Sequence, residues 1–302
     1  MGKRKTASQP YTVRAREMGA ELQQHRQARD MSLRELAQKL GWWPPHVSQM
    51  ETGRRPPSAM DVAAYLGGCG PHERDEYYRL VALASEPDTR YLVRPHGLEL
   101  PAEMRSLIVQ EGIASSIAEY EPLVVSGLLQ SEGYMRALFR WGSTRPQNEV
   151  DLRIQARLAR QALLHREKPP RCTFFLQEHV LRTVVGDCRV MNEQILYLML
   201  TAELRHCSLR VVLDSAGPFG AWSGGFRVMD YEKYPPVAYM DGFAAGVFID
   251  DPQVVMRYRT NLARLDKAAL GAEESRVWLA DLAGAYDRAE AASSCQPPSE
   301  QG

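Results

Sequence analysis

Apolar residues recur at helical spacing from Val13 to Ala84. Met18, Leu22 and Ala28 line one face of a first helix. Ser32, with Glu35 three positions on, reads as an N-cap and capping box that opens a second helix. A third begins at Pro44 and a fourth near Ser58. A fifth follows Pro71, with Tyr77, Leu80, Val81 and Ala84 along its apolar side. Residues 85–97 hold two prolines and no period, which predicts a linker. Beyond it the pattern predicts helices over 100–115, 130–141, 147–166, 189–205, 252–268 and 272–289. Strands fit 116–121, 172–177, 208–214, 225–231, 236–241 and 245–249, the later ones separated by turns such as AGPFGAWSGG and KYPP.

The predicted fold is therefore an all-α N-terminal domain of five helices over 13–84, then a larger α+β domain over 98–290. Its last strands follow one another without helices, which favours a mostly antiparallel sheet. Residues 1–12 read as a flexible arm and 291–302 as a disordered tail. No internal repeat is present.

Composition changes the picture in three ways. With 44% apolar and 25% charged residues over 302 positions, the chain is an ordinary globular one with room for two domains. The apolar stretches fall short of a membrane span, and the basic start leads into no apolar segment, so a cytoplasmic protein without membrane contact is expected. The five cysteines, Cys69, Cys172, Cys188, Cys207 and Cys295, contain no C-x-x-C pair and read as reduced thiols. The zero net charge hides an asymmetry: residues 1–60 carry 11 Lys and Arg against 5 Asp and Glu, the remainder 26 against 32. A positive head on an acidic body suits phosphate binding by the head alone.

The most informative stretch is SLRELAQKLGWWPPHVSQMETGRRPPS, residues 32–58. Leu33, Leu36, Ala37 and Leu40 form one apolar stripe, with Ala37 small where two helices cross. Gly41 can enter the left-handed region and end the helix. Val47 and Met50 then supply the inward side of the next helix, leaving Pro45, His46, Ser48 and Gln49 nearer the outside. Such a helix fits the major groove of DNA, and Arg54 and Arg55 follow where backbone phosphates would lie. A small helical bundle or protein-binding module is the other reading of the same pattern.

The L-x-x-L-A-x-x-L-G core with its E-x-G-R-R-x-P-S ending resembles the Xre, or lambda-repressor-like, helix-turn-helix family. The resemblance implies base-reading positions at Pro44, Pro45 and Gln49. It implies phosphate-touching positions at His46, Arg54, Arg55 and the helix start around Ser32 and Leu33. The two prolines depart from the polar side chains of many relatives and weaken direct readout, which leaves Gln49 as the best base reader through its bidentate match to adenine. Trp43 stands at the helix start and offers no oxygen for capping.

The segments EYEPLVVSGLLQSEGYMRALF (119–139), RLARQALLHREKPP (157–170), LQEHVLRTVVG (176–186), MNEQILYLM (191–199), GPFGAWSGGFRVMDY and FIDDPQVVMRY resemble the C-terminal domain of the actinobacterial WhiJ-like regulators. Ser126 replaces the proline usual before Gly127. The resemblance implies a transcriptional regulator, often paired with a small protein encoded beside it and sometimes described as antitoxin-like. An interaction protein acting mainly through such a partner, with weak or no DNA binding, is the alternative. From the residues themselves, Arg157, Arg160 and Gln161 on one helix are candidates for an acidic partner or anion, against the plainer reading of a solvated face. Phe219, Trp222 and Phe226 in a glycine-rich stretch are candidates for walling a small-molecule effector site, or are core lids.

No enzyme is expected. Ala221-Trp222-Ser223-Gly224-Gly225 is close to a nucleophile elbow, but no histidine follows Ser223. Glu178-His179 lacks the second histidine of a zinc protease helix. Cys172 and His179 have no further ligands in view, and Asp250-Asp251-Pro252 reads as a helix start. Neither a metal nor a cofactor is expected. The expected partners are double-stranded DNA, a second copy of the chain in a homodimer, and either a small adjacent-encoded protein or an effector.

Overall fold

The computed structural model describes residues 11–86, 89–95, 102–142, 146–242 and 244–292. Residues 1–10 of the expected arm and the tail from 293 lie outside the described residues. The chain divides into two compact units. One holds Met1–Val93 with Lys233–Val237 and Phe248–Asp251; the other holds Arg94–Glu232, Ala238–Val247 and Pro252–Gly302.

The first unit is built from α1 (Val13–Gln27), α2 (Leu33–Leu40), α3 (Pro44–Glu51), α4 (Ala59–Cys69) and α5 (Arg74–Ser85). Helix starts follow the sequence chemistry closely. The Thr12 hydroxyl accepts from the Ala15 amide, and Asp250 Oδ2 accepts from the Val13 amide at 2.9 Å. Ser32 and Glu35 form the reciprocal capping box, and Ser58 with Asp61 forms a second one. Gly41 ends α2 at φ +65°, as its position suggested. Met18, Leu22, Leu36, Ala37, Val47, Met50, Val62, Tyr65, Leu66 and Leu80 make the fully buried core. Burying each large member stabilises by about 1.5–3 kcal/mol relative to exposure. Helix α1 crosses α3 at Gly19, where a Cβ would stand 2.4 Å from the Glu51 carbonyl oxygen.

The rest of the chain runs β1 (Tyr91–Pro95), α6 (Ala102–Ile113), β2 (Ser116–Glu121), α7 (Glu132–Gly142) and α8 (Gln147–Gln161) with a 3-10 turn over 162–165. It continues through β3 (Arg171–Gln177), α9 (Glu178–Arg182), α10 (Cys188–Ala202), β4 (Cys207–Val212), α11 (Gly220–Ser223) and β5 (Phe226–Asp230). The last elements are β6 (Val237–Asp241), β7 (Ala245–Ile249), α12 (Pro252–Ala268) and α13 (Ala272–Ala291). Seven strands form one mixed, mostly antiparallel sheet in the order β1-β7-β6-β5-β2-β3-β4. Strands β2, β3 and β4 are parallel, joined by the helical crossovers that parallel neighbours need, while β5 pairs antiparallel with β2. In the two registers, Glu119 lies opposite Arg227 on β5 and level with Phe174 on β3.

Three features differ from the sequence reading. Strand β1 occupies part of the stretch read as a linker; its alternating exposed and buried residues are too few to show a period between two prolines. Short helix α9 falls between an expected strand and an expected helix, where no element was assigned, and α11 falls in the stretch AGPFGAWSGG read as a turn. Cys69, Cys172 and Cys207 are free thiols, but Cys188 is disulfide-bonded, which corrects the expectation of five reduced cysteines. Among the described residues no helix is long and apolar enough to cross a membrane.

Candidate nucleic-acid interface and a charged cavity

The apolar side of α3, Val47 and Met50, is fully buried against α1 and α2. That leaves Pro44, Pro45, Ser48 and Gln49 half-exposed along the opposite side. Just beyond the helix the chain folds back on it. The Arg55 amide donates to the Gln49 carbonyl at 3.0 Å, while Arg54 and Arg55 both project into solvent. Trp43 caps α3 without a side-chain hydrogen bond and is 72% exposed, so a large flat ring stands at the opening of the helix.

The remaining positions on this surface differ in what they can offer. The His46 ring lies 5.0 Å from that of Trp42, its Nδ1 is 3.4 Å from Arg55 Nη1, and its Nε2 is buried. His46 is thus turned largely inward. Ser32 is exposed at the start of α2, but its hydroxyl accepts from the Glu35 amide and its own amide donates to Glu35 Oε2. These bonds hold the Glu35 carboxyl below its usual value. Leu33 packs against the core. Arg34, exposed beside it, and Trp43 belong to the same surface and were not among the candidates. Trp43 was legible as a large aromatic where a small polar cap is usual.

A second, deeper feature lies in the other unit. A cavity of about 470 Å³ opens on one face of β2, β5 and β6, walled by α6, α8 and the segment 123–130. Glu119 and Glu121, two apart on β2, share that face with Arg227 of β5, and Asp241 of β6 also borders the cavity. Arg227 is fully buried and ion-paired to both Glu111 and Glu119. The Ser126 hydroxyl donates to Glu119 Oε2 at 2.8 Å. Burial, then the Glu119 charge, pushes the Glu121 carboxyl well above the usual carboxylate range, with Arg227 a partial offset.

The candidates from the second half of the sequence separate into different places. Arg157 and Arg160 border this cavity. Gln161 is a tie: its amide donates to the Gly127 and Gln130 carbonyls and its oxygen accepts from Tyr197. Phe226 borders the cavity, but its ring packs on Tyr120 and Tyr258. Phe219 lies elsewhere, under the Arg264 guanidinium, and lines two other cavities, of about 140 and 510 Å³. The side chain of Trp222 lies outside the described residues. Strand alternation and the separate course of residues 214–224 thus keep Phe219 apart from the residues that border the charged cavity.

The enzyme-like fragments do not assemble. The Ser223 hydroxyl turns to the Gly224 carbonyl. His179 sits between Asp214 Oδ1 at 3.1 Å and the Pro122 carbonyl at 2.6 Å. Cys172 is buried level with Cys207 on the neighbouring strand. Among the described residues no group of three or more His, Cys, Asp or Glu is placed to hold a metal ion.

Residues 17–76, which span α1 to α4, match the family model of a helix-turn-helix domain. Residues 104–281 match that of a domain of unknown function, DUF5753. No curated protein and no solved structure matches the chain. The second match covers more than half of the sequence and takes in all of β2 to β7, including every acidic and arginine residue around the charged cavity. The chain belongs to the DUF5753 family and carries a helix-turn-helix domain ahead of it.

Proposed function

We propose that this chain is a transcriptional regulator of the Xre kind, close to the WhiJ-like group, that binds double-stranded DNA through α3. The observation that carries the reading is the arrangement at the end of α3. Its inner side is buried, Gln49 is turned outward, and Arg54 and Arg55 stand free in solvent, tethered to the helix by the Arg55 amide. In this reading Gln49 contacts a base edge and Trp43 meets the groove wall. Pro44 and Pro45 offer only apolar contact. Arg54, Arg55 and the start of α2 at Ser32 and Leu33 engage phosphates, which set register rather than sequence preference. His46 supports Trp42 and Arg55 from beneath.

A single head buries little surface on DNA. Two copies on half-sites one helical turn apart gain affinity through effective concentration, so the reading includes a homodimer in the cytoplasm. The second unit then sets DNA occupancy in response to a small effector, a role that the charged cavity favours over docking of a partner protein.

The test is fluorescence anisotropy of the full chain against fragments of its own upstream region across a salt series. Replacing Arg54 and Arg55 by alanine is expected to weaken binding to all fragments and to lower the salt slope by about 2, near 0.9 per phosphate contact. An unchanged slope, or no binding at low salt, overturns the reading.

A further inference from the structure

The cavity beside β2, β5 and β6 contains two charged groups whose needs are unmet by the protein, one of each sign. The first is Arg160. Its side chain is only 7% exposed, yet among the described residues its guanidinium forms no hydrogen bond to an oxygen. Its polar contacts are Glu111 Oε2, 3.4 Å from Nε, and the Met104 sulfur, 3.4 Å from Nη1. Glu111 gives its other oxygen, Oε1, to Arg227, so one carboxylate serves two guanidinium groups. The Arg160 Nη2 reaches over Gly127, where a Cβ would lie 2.7 Å away. A buried guanidinium has five donors, and leaving them without acceptors is costly.

The second group is Glu121. It is half-buried and forms no ion pair among the described residues, and its carboxyl instead meets that of Glu119. Glu119 has Arg227 and Ser126 as partners, whereas among the described residues Glu121 forms neither an ion pair nor a hydrogen bond to a hydroxyl, and the nearby Arg227 charge offsets its burial only in part. Asp241 borders the same space and adds a third acid. Two carboxyls in contact hold either a shared proton or a cation between them.

Alternation along β2 places Glu121 at the cavity, and α8 brings Arg160 to the same space. The buried chain Arg160–Glu111–Arg227–Glu119 connects them, so the two ends are electrostatically ordered rather than accidental neighbours. Met104, Leu107, Leu123, Val124 and Leu138 supply apolar wall between them. A concave site with apolar wall between converging charged groups is of the kind small ligands occupy. The volume of about 470 Å³ admits a molecule of amino-acid size.

We propose that this cavity binds a small zwitterion, with its ammonium between Glu121 and Glu119 and its carboxylate on Arg160. An ammonium supplies the Glu121 carboxyl with the cation it lacks, and a carboxylate gives Arg160 oxygen acceptors. Because the two ends are recognised separately, a molecule carrying only one charge leaves the other group unmet. The site deepens the effector role assigned above to the second unit, but ligand binding itself does not depend on that role or on DNA.

The experiment uses the full chain at neutral pH, with thermal shift and calorimetric titration. Its probes are the linear ω-amino acids from glycine to 8-aminooctanoate, which sample the spacing between the charges. Butylamine and butyrate serve as single-charge controls. At least one zwitterion is expected to raise the melting temperature saturably, binding about tenfold or more tightly than either control. Arg160→Gln is expected to abolish the advantage over butylamine, and Glu121→Gln the advantage over butyrate. Arg160→Lys keeps the charge and is expected to keep the zwitterion preference at lower affinity; ligand-free melting of each variant shows that it is folded. No saturable binding by any zwitterion up to roughly 10 mM overturns the proposal. So does equal binding of the single-charge controls, or unchanged selectivity in Arg160→Gln and Glu121→Gln. If zwitterions bind while DNA affinity stays the same, the site stands and the effector role fails. If DNA binding is absent altogether, the anisotropy measurement shows that independently.

Discussion

Arg26 grips Glu51 along one edge of its guanidinium: Nε donates to Oε1 at 2.7 Å and Nη2 to Oε2 at 2.8 Å. The Tyr65 hydroxyl donates to the same Oε1 at 2.6 Å, and Arg26 Nη1 donates to the Met31 carbonyl. Both charged residues are buried. Glu51 is the last residue of α3, so this pair joins the end of α3 to α1, and Tyr65 joins it to α4. The hydrogen bonds to Glu51, first, then its charge and the Tyr65 contacts raise the Arg26 pKa beyond its already high value, against the opposing effect of burial. Arg26 therefore stays charged across the working pH range.

Glu51→Gln preserves the shape but leaves Arg26 buried without its counter-ion. Breaking a buried pair from one side costs about 3–5 kcal/mol. The urea midpoint of the first unit's transition is expected to fall accordingly, and DNA binding to weaken with it. A loss below about 1 kcal/mol would mean that the pair contributes no more than a surface contact does.

Gly19→Ala introduces a methyl group into the crossing of α1 and α3, within 2.5 Å of the Met50 and Glu51 carbonyl oxygens. Backbone cannot yield as a flexible side chain can, so α3 must move. Overpacking of this kind costs about 1–3 kcal/mol. The variant is expected to melt earlier and to lose DNA affinity by more than its stability loss explains. Wild-type affinity in a folded variant would show that α3 tolerates displacement.

Gln49→Ala tests readout apart from grip. Loss of one bidentate base contact is worth about 1–3 kcal/mol of discrimination. Affinity for the best fragment is expected to drop towards that for unrelated DNA, while the unrelated affinity and the salt slope stay as they were. A uniform drop for both would assign Gln49 to the phosphates instead.

The Glu121 carboxyl makes stability depend on pH. Its folded-state pKa is raised by burial and by Glu119, so the folded chain holds a proton that the unfolded chain releases near the ordinary value. Stability from this group is full below the unfolded pKa and declines as pH rises from there towards the folded pKa. Arg227, with Glu119 and Asp241 around it, reduces the shift without cancelling it. Glu121→Gln removes the titration. In the absence of ligand it is expected to be more stable than the wild type at pH 7 and to lose that advantage below pH ~4. Parallel stability curves for the two proteins between pH 4 and 8 would contradict this assignment.

Much of the architecture was legible because it is written in local terms. The capping boxes at Ser32 and Ser58, the left-handed Gly41 and the strands at 116–121 and 245–249 follow from residues a few positions apart. Local too is the distinction between Val47 and Met50, turned inward, and Gln49, turned out: helical spacing alone sets it. The candidate DNA surface was readable for the same reason, short of Arg34 and of the inward turn of His46, which its contacts with Trp42 and Arg55 bring about.

The charged cavity was not readable in this way. Its essential partners, Glu111, Glu119, Arg160 and Arg227, come from three separate elements and a strand brought beside β2 only by the sheet order. An acid and an arginine more than a hundred positions apart look like ordinary surface charges along the chain. They become a buried ion pair when antiparallel register sets Glu119 opposite Arg227 and helices close over that face. Spacing along the chain thus determined the helices and which of their sides face out. Long-range strand pairing decided which charges lost their water, and with that, where a ligand can be held.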